Sequence, residues 1–350
     1  MPEAPTIYEV AREAGVSIAT VSRALTRPDD LRPETRERVL RAVAELGYVP
    51  SGPATGLARR RTGVLGLART DVRDPEVDEG HETLRYSDDV LRGMDRAARQ
   101  AGYAVLLVGI DPLDRGFDLA LAGKTDGMVV LARTILPEVL ERLARRIPVV
   151  LVAGPREPEH LDHAGVANTE GAAAATTHLL EVHGAGEVAF LGGPADSPDA
   201  AARFEGFRAA LAAAGRPVPD RPDLAGDFTE AGGRAATRAL LAAGRRPRGL
   251  VCANDQMAVG ALGALAEAGV AVPGEVLLTG FDDIQLARHV WPPLTTVHQP
   301  MRQLGTSAVE LLLHRIADPD APPDAIVLPT RLVVRQSCGC AGPAQGTGSG

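Results

Sequence analysis

At 350 residues with 45% apolar side chains, the chain exceeds what one ordinary hydrophobic core accommodates, so two or three domains are expected. A formal charge of −8 excludes a protein that coats nucleic acid indiscriminately, three cysteines exclude a disulfide framework, and no run of 18 apolar residues marks a membrane span. The charge is uneven: residues 1–62 carry ten arginines against eight acids and the remainder 27 basic against 37 acidic residues, the pattern of a mildly basic head on an acidic body.

The start, MPEAPTIYEV, lacks a basic segment followed by an apolar run, so a cytoplasmic protein is expected. Thr6 followed by Glu9 reads as a capping box opening a helix whose apolar side is Ile7, Val10, Ala11 and Ala14. Gly15 stops that helix, and Ser17 caps a second one with Val21 and Leu25 on its core side. Its outer face, Ser17, Ile18, Thr20, Ser22 and Arg23, offers hydroxyls, one guanidinium and little bulk. Helix, glycine turn and polar-faced second helix make a helix-turn-helix, whose second helix enters the major groove of DNA. Pro33 then opens a third helix with the stripe Val39, Leu40, Val43 and Leu46, ending at Gly47; Arg32 stands where a cap would.

Residues 51–62, SGPATGLARRRT, have the composition of a linker. Beyond Gly63, short apolar runs alternate with helical segments. Strands are expected at Val64–Ala68, Ala104–Val108, Gly127–Leu131, Val149–Ala153, Val188–Leu191, Leu250–Ala253 and Val276–Thr279, and helices around 87–101, 137–146, 171–183, 200–214, 230–243 and 256–268. Such alternation implies two doubly wound parallel sheets in tandem. Residues 72–86 interrupt it with an acidic loop. Ligands of open parallel sheets bind beyond the carboxyl ends of the strands. The polar residues there are Arg73, Asp74, Asn254, Asp255, Asp282 and Asp283, joined by Arg203 at a helix start and Phe228 among few aromatics. Asp255 and Asp283 read as helix N-caps.

IYEVAREAGVSIATVSRAL followed by PETRERVLRAVAELGYVP resembles the amino-terminal domain of the lac-repressor (LacI/GalR) family of bacterial transcription regulators. CANDQMAVGAL, LTGFDD, PPLTTVHQP and RFEGF resemble the effector domain of the same family, which is like the periplasmic sugar-binding proteins: two α/β subdomains joined by three crossovers. The resemblance implies a small all-α head at 1–50, a hinge at 51–62 whose Leu57 wedges into the minor groove, and an effector domain at 63–337. Its N-subdomain would take about 63–168 and 296–326, its C-subdomain about 169–295 and 327–337, with a disordered tail at 338–350. With Ser51 as cap, Pro53 falls in the first turn of the expected hinge helix, where it costs little, whereas Gly56 sits mid-helix and costs about 1 kcal/mol relative to alanine.

The resemblance assigns Arg203, Asn254 and Asp282 to the hydroxyls of a sugar, Phe228 to its ligand face and Met301 to an apolar wall. Arg73 and Asp74 stand where the family has smaller neutral polar residues, and Ala167, before Asn168, where it has aspartate. In the head, Ile18 and Ala19 would meet base edges and Arg23 a guanine, with Thr6, Ser17, Thr20 and Ser22 as the other DNA-binding candidates. The implied function is a homodimeric repressor of palindromic double-stranded operator DNA, controlled by a small-molecule effector, a sugar or sugar derivative. A tail without heptads excludes the extra helix of tetrameric members. The alternative is a cytoplasmic sugar-binding protein without DNA function, which leaves residues 1–50 without a purpose. No nucleophile elbow, P-loop or dinucleotide fingerprint supports an enzyme or a cofactor. Cys338 and Cys340 lack two further ligands at a familiar metal-binding spacing, and His178, His183 and His298 are scattered, so no metal site is expected.

Overall fold

The computed structural model describes residues 5–26, 30–48, 61–70, 83–110, 123–132, 136–154 and 158–341. The head consists of α1 (Ile7–Glu13), α2 (Ile18–Thr26) and α3 (Pro33–Leu46). The Glu9 carboxylate reaches back to accept from the Thr6 backbone N–H at 2.7 Å and its hydroxyl at 3.0 Å, which holds its pKa below the usual carboxylate value. Gly15 at φ 61° turns the chain so that Val16 N–H closes on Ala11 O, and Ser17 Oγ accepts from Thr20 N–H at 3.2 Å at the start of α2. Val10, Ala11, Ala14, Val21, Ala24, Val39 and Ala42 form the buried core of the head. Leu40, expected in the α3 stripe, is instead 42% exposed, because the three-helix contact is narrow and falls on Val39, Ala42 and Val43.

The first α/β unit contains β1 (Val64–Thr70), α4 (Thr83–Gln100), β2 (Ala104–Ile110), β3 (Gly127–Leu131), α5 (Pro137–Ala144), β4 (Val149–Val152) and β5 (Asp162–Val166). The second contains α6 (Asn168–Thr177), continued by a π turn (His178–Val182), then β6 (Val188–Gly192), α7 (Pro198–Ala213), β7 (Leu224–Ala225), α8 (Glu230–Ala242), β8 (Gly249–Cys252), α9 (Asp255–Glu267) and β9 (Leu277–Thr279). The chain then returns through β10 (Thr296–His298), α10 (Met301–Ala317), β11 (Ala325–Leu328) and β12 (Arg331–Val333). One sheet has the order β11-β5-β4-β3-β1-β2 and the other β7-β6-β8-β9, every pairing in both being parallel. Strands covered on both faces read as unbroken apolar runs, and β4 and β8 are buried along their whole length.

Three connections join the two units: β5 to α6, β9 to α10 through β10, and β11 to β12. The antiparallel pair β10–β12 ties the latter two together. α10 packs on α4, and β11 extends the first sheet beside β5. The N-subdomain limit expected at 326 therefore falls inside β11, which stays with the first sheet through Leu328. Of the tail expected at 338–350, Cys338 is fully buried and so belongs to the folded unit, while residues 342–350 lie outside the described residues. No helix among the described residues is long and apolar enough to cross a membrane.

Candidate functional site

The outer face of α2 is laid out for contact. Ser17, Ala19 and Arg23 are exposed, Ile18 is 40% exposed, and Thr20 and Ser22 are half-buried. The Ser17 and Thr20 hydroxyls lie 2.9 Å apart, one donating to the other. Thr6 spends its hydroxyl on Glu9. Tyr8, 69% exposed on α1, went unremarked in the sequence because an aromatic at helical spacing reads as core. Leu57, Arg73 and Asp74 lie outside the described residues.

A second polar group forms where the carboxyl ends of the strands of both α/β units meet. Arg203, one turn into α7 and 5% exposed, donates from Nε to Asn168 Oδ1 at 2.8 Å and from a terminal nitrogen to Ala253 O at 2.6 Å. The same nitrogen lies 3.3 Å from Asp282 Oδ1. The guanidinium carbon stands 3.9 Å from the centre of the Phe281 ring, a close cation–π contact, and 6.0 Å from that of Phe228, at the limit of one. Asn168 Nδ2 donates to Asp199 Oδ1 at 2.9 Å, and that oxygen also accepts the Gly154 N–H, which follows β4, at 3.0 Å. Asp199 thereby clasps the first unit to α7 of the second.

Asp282 sits at φ 116°, a left-handed backbone that turns its carboxylate toward Arg203, and it accepts from Gln299 Nε2 at 2.5 Å. Burial pushes its pKa up to about 6, against the lowering pull of Arg203 and Gln299. Gln299 Oε1 is buried and has no hydrogen-bond partner among the described residues. Such an orphan acceptor is costly unless a ligand or water supplies a donor. Asn254 caps α9, accepting from Met257 N–H at 2.9 Å, while its Nδ2 donates to Phe228 O at 3.0 Å. Gly193 allows the Phe228 ring to approach, since a β-carbon there would stand 2.4 Å from the ring.

Of the residues selected from the sequence, Arg203, Asp282, Asn254 and Phe228 stand together. Met301 packs into the core of the first unit at the start of α10. Sequence reasoning missed Asp199, Phe281 and Gln299. Gln299 lies within PPLTTVHQP and could have been found by collecting the polar residue beyond β10 as was done for β8 and β9. The N-cap reading of Asp255 and Asp283 is corrected. Asn254 takes the cap, while the fully buried Asp255 accepts from Thr296 Oγ1 at 2.5 Å and Ile284 N–H at 2.9 Å, burial holding its pKa well above the ordinary value. Asp283 instead collects Arg335, Arg288 and His298.

The expectation that His178 and His183 are scattered is also corrected. Their Nε2 atoms lie 3.3 Å apart, and both meet Cys340 Sγ.

A sequence profile of bacterial regulatory proteins of the lacI family matches residues 6–51, and one of periplasmic binding protein-like domains matches residues 176–338. The ribose operon repressor of Escherichia coli (strain K12) is 32% identical over 339 residues, spanning 95% of this chain and 99% of that protein. The structure of the lac repressor dimer bound to operator and the anti-inducer ONPF superimposes with a TM-score of 0.82 at 26% identity, over 96% of this chain and 99% of the other. The complex of the transcriptional regulator CelR with cellobiose gives a TM-score of 0.71 at 32% identity, over 95% and 99%.

Proposed function

Because the chain belongs to the lacI family of bacterial regulatory proteins, we propose that it is a sequence-specific transcription repressor whose operator affinity is set by a carbohydrate held between its two α/β units. The observation that carries this reading is that one chain joins an exposed, capped recognition helix to a buried polyol-type site, and that repressors align with both parts over nearly their whole length. A neutral polyol needs planar donors and acceptors beside a flat apolar surface. Arg203, Asn254, Asp282 and the unpartnered Gln299 Oε1 beside Phe228 and Phe281 supply both. Relatives whose names specify ribose and cellobiose support a sugar as the ligand class.

Residues 1–50 serve as the DNA-binding head, 51–62 as the hinge carrying Leu57, and two heads on a two-fold dimer read a palindrome. Ile18 and Ala19 offer apolar contact alone, so Arg23 carries the polar base readout and Ser17, Thr20 and Ser22 hold phosphates. Arg73 and Asp74, which replace smaller neutral polar residues of the family in the sequence, support a sugar derivative bearing a charged or strongly polar substituent as the ligand. Selection of random duplexes by the purified protein tests the DNA half of this reading. A two-fold symmetric sequence should emerge, and Arg23→Ala should relax one base position in each half-site by about 1–3 kcal/mol. Enrichment without any shared sequence would sink it.

A further inference from the structure

We propose that His178, His183, Cys338 and Cys340 form a structural zinc site that fastens the carboxyl-terminal segment to the second α/β unit. Their four ligand atoms all lie within 4.8 Å of one another. The two histidine Nε2 atoms are 3.3 Å apart; His178 Nε2 stands 3.3 Å from Cys338 Sγ and 3.7 Å from Cys340 Sγ, and His183 Nε2 stands 3.4 Å from Cys340 Sγ. A tetrahedral zinc with ordinary Zn–N and Zn–S bonds requires nitrogen–nitrogen edges of about 3.3 Å and nitrogen–sulfur edges of about 3.6 Å. Four of the six edges fall within about 0.3 Å of those values, and the other two are no longer than 4.8 Å, so small side-chain rotations close the tetrahedron.

The local structure explains how residues so far apart in sequence converge. His178 and His183 are five residues apart, a spacing that an α-helix would splay by more than a turn. The π turn at His178–Val182 closes on that spacing and turns both rings to one side. At the other end, Gly339 at φ 96° lets Cys338 and Cys340 face the same point, with the glycine lying against the His183 ring. The segment is anchored beforehand: Ser337 donates its hydroxyl to Leu278 O at 2.7 Å, and its carbonyl accepts the Leu278 N–H at 2.9 Å.

The surroundings supply a hydrogen-bond donor to one of the sulfurs. Thr295 Oγ1 accepts the Arg335 N–H at 2.8 Å, so its own proton is directed at Cys338 Sγ, 3.1 Å away. A donor of this kind is what an outer-shell partner of a metal-bound sulfur provides. Two thiolates and two neutral imidazoles also cancel the charge of a divalent ion, which makes burial of the assembly affordable. Soft sulfur with imidazole selects zinc over magnesium or calcium, and four protein ligands leave no open position, so the site is structural rather than catalytic.

The test is made on untagged full-length protein, dialysed against metal-free buffer under reducing conditions and analysed by elemental mass spectrometry. Zinc is expected close to one equivalent per chain. Cobalt(II) added to the chelated protein should give tetrahedral d–d bands and a sulfur-to-cobalt charge-transfer band. Cys340→Ser and His183→Asn, both at half-buried positions, should each lower retained zinc at least about tenfold, the direction and scale of losing one ligand of a closed site. Chelation should lower the melting temperature of the wild type and leave that of the variants unmoved. Should a variant fail to fold, wild-type zinc content and the cobalt spectrum still decide. Sub-stoichiometric zinc with no cobalt charge-transfer band in protein whose three thiols are free, or full zinc retention in both variants, would overturn the proposal.

Discussion

Arg203 and Asp282 are a buried ion pair whose two charges depend on each other and on the ligand. Removing the cation leaves a carboxylate in a dry pocket, so Arg203→Ala is expected to cost about 3–5 kcal/mol in chemical denaturation near neutral pH. The loss should shrink in acid, where Asp282 takes up a proton. The folded pKa of Asp282, about 6, lies above its unfolded value, so the folded state binds the extra proton. Stability contributed by this group is present below the unfolded pKa and is lost as pH rises through about 6. Stability curves of the wild type and Asp282→Asn, measured over that window, should therefore differ in slope, with the variant flatter; parallel curves would contradict the assignment. Ligand affinity moves the other way. A hydroxyl donor needs the ionised carboxylate, so calorimetric affinity for the effector should weaken as pH falls through about 6. These two residues were legible because each follows a strand or opens a helix at the edge where parallel sheets bind ligands. Asp199 and Gln299 were not, because their importance lies in what they touch: a clasp across two units and an acceptor left without a donor.

Among the elements, the helices of the head bury only a small core of valines and alanines and lean on their caps. Ser17→Ala removes the oxygen that receives Thr20 N–H and should lower the stability of the head by about 1 kcal/mol, visible as fraying of amides at the start of α2 in hydrogen exchange. The turn after β6 is sensitive in another way. Gly193→Ala would drive a β-carbon into the Phe228 ring, and overpacking of this kind costs about 1–3 kcal/mol. Its expected signature is weaker effector binding in a chain that still folds and binds DNA. All seven strands expected from apolar runs appear, whereas β5, β7, β10, β11 and β12 were missed. Asp162–Val166 reads DHAGV, and its burial comes from its place between β4 and β11 rather than from its own hydrophobicity. β7 is two residues long, and β10 and β12 exist as strands because the crossovers run side by side.

For the whole molecule, the distribution of charge and the order of elements gave the plan: a mildly basic head, a linker, and two parallel sheets. The three crossings between the sheets were invisible to periodicity, because each is a meeting of segments remote in sequence. The convergence of His178 and His183 on Cys338 and Cys340 escaped for the same reason, with 160 residues between the first and third. The crossovers also give the coupling its physical form. Asp199 and Arg203 of α7 bond to both units or their connections, so a ligand that competes for Arg203 and Asp282 changes the terms on which the two units meet. To reverse operator occupancy, that ligand must favour one arrangement by about 5.5 kcal/mol, the combined contribution of several such bonds.

The most direct test of this coupling is fluorescence anisotropy of full-length protein with a labelled palindromic duplex, beside a scrambled duplex at the same salt, titrated with ribose, cellobiose and charged sugar derivatives. The account predicts tight binding to the palindrome alone, an affinity shifted by one class of sugar, and loss of that shift in Asp282→Asn with DNA binding retained. Equal binding to both duplexes at every sugar concentration would contradict it.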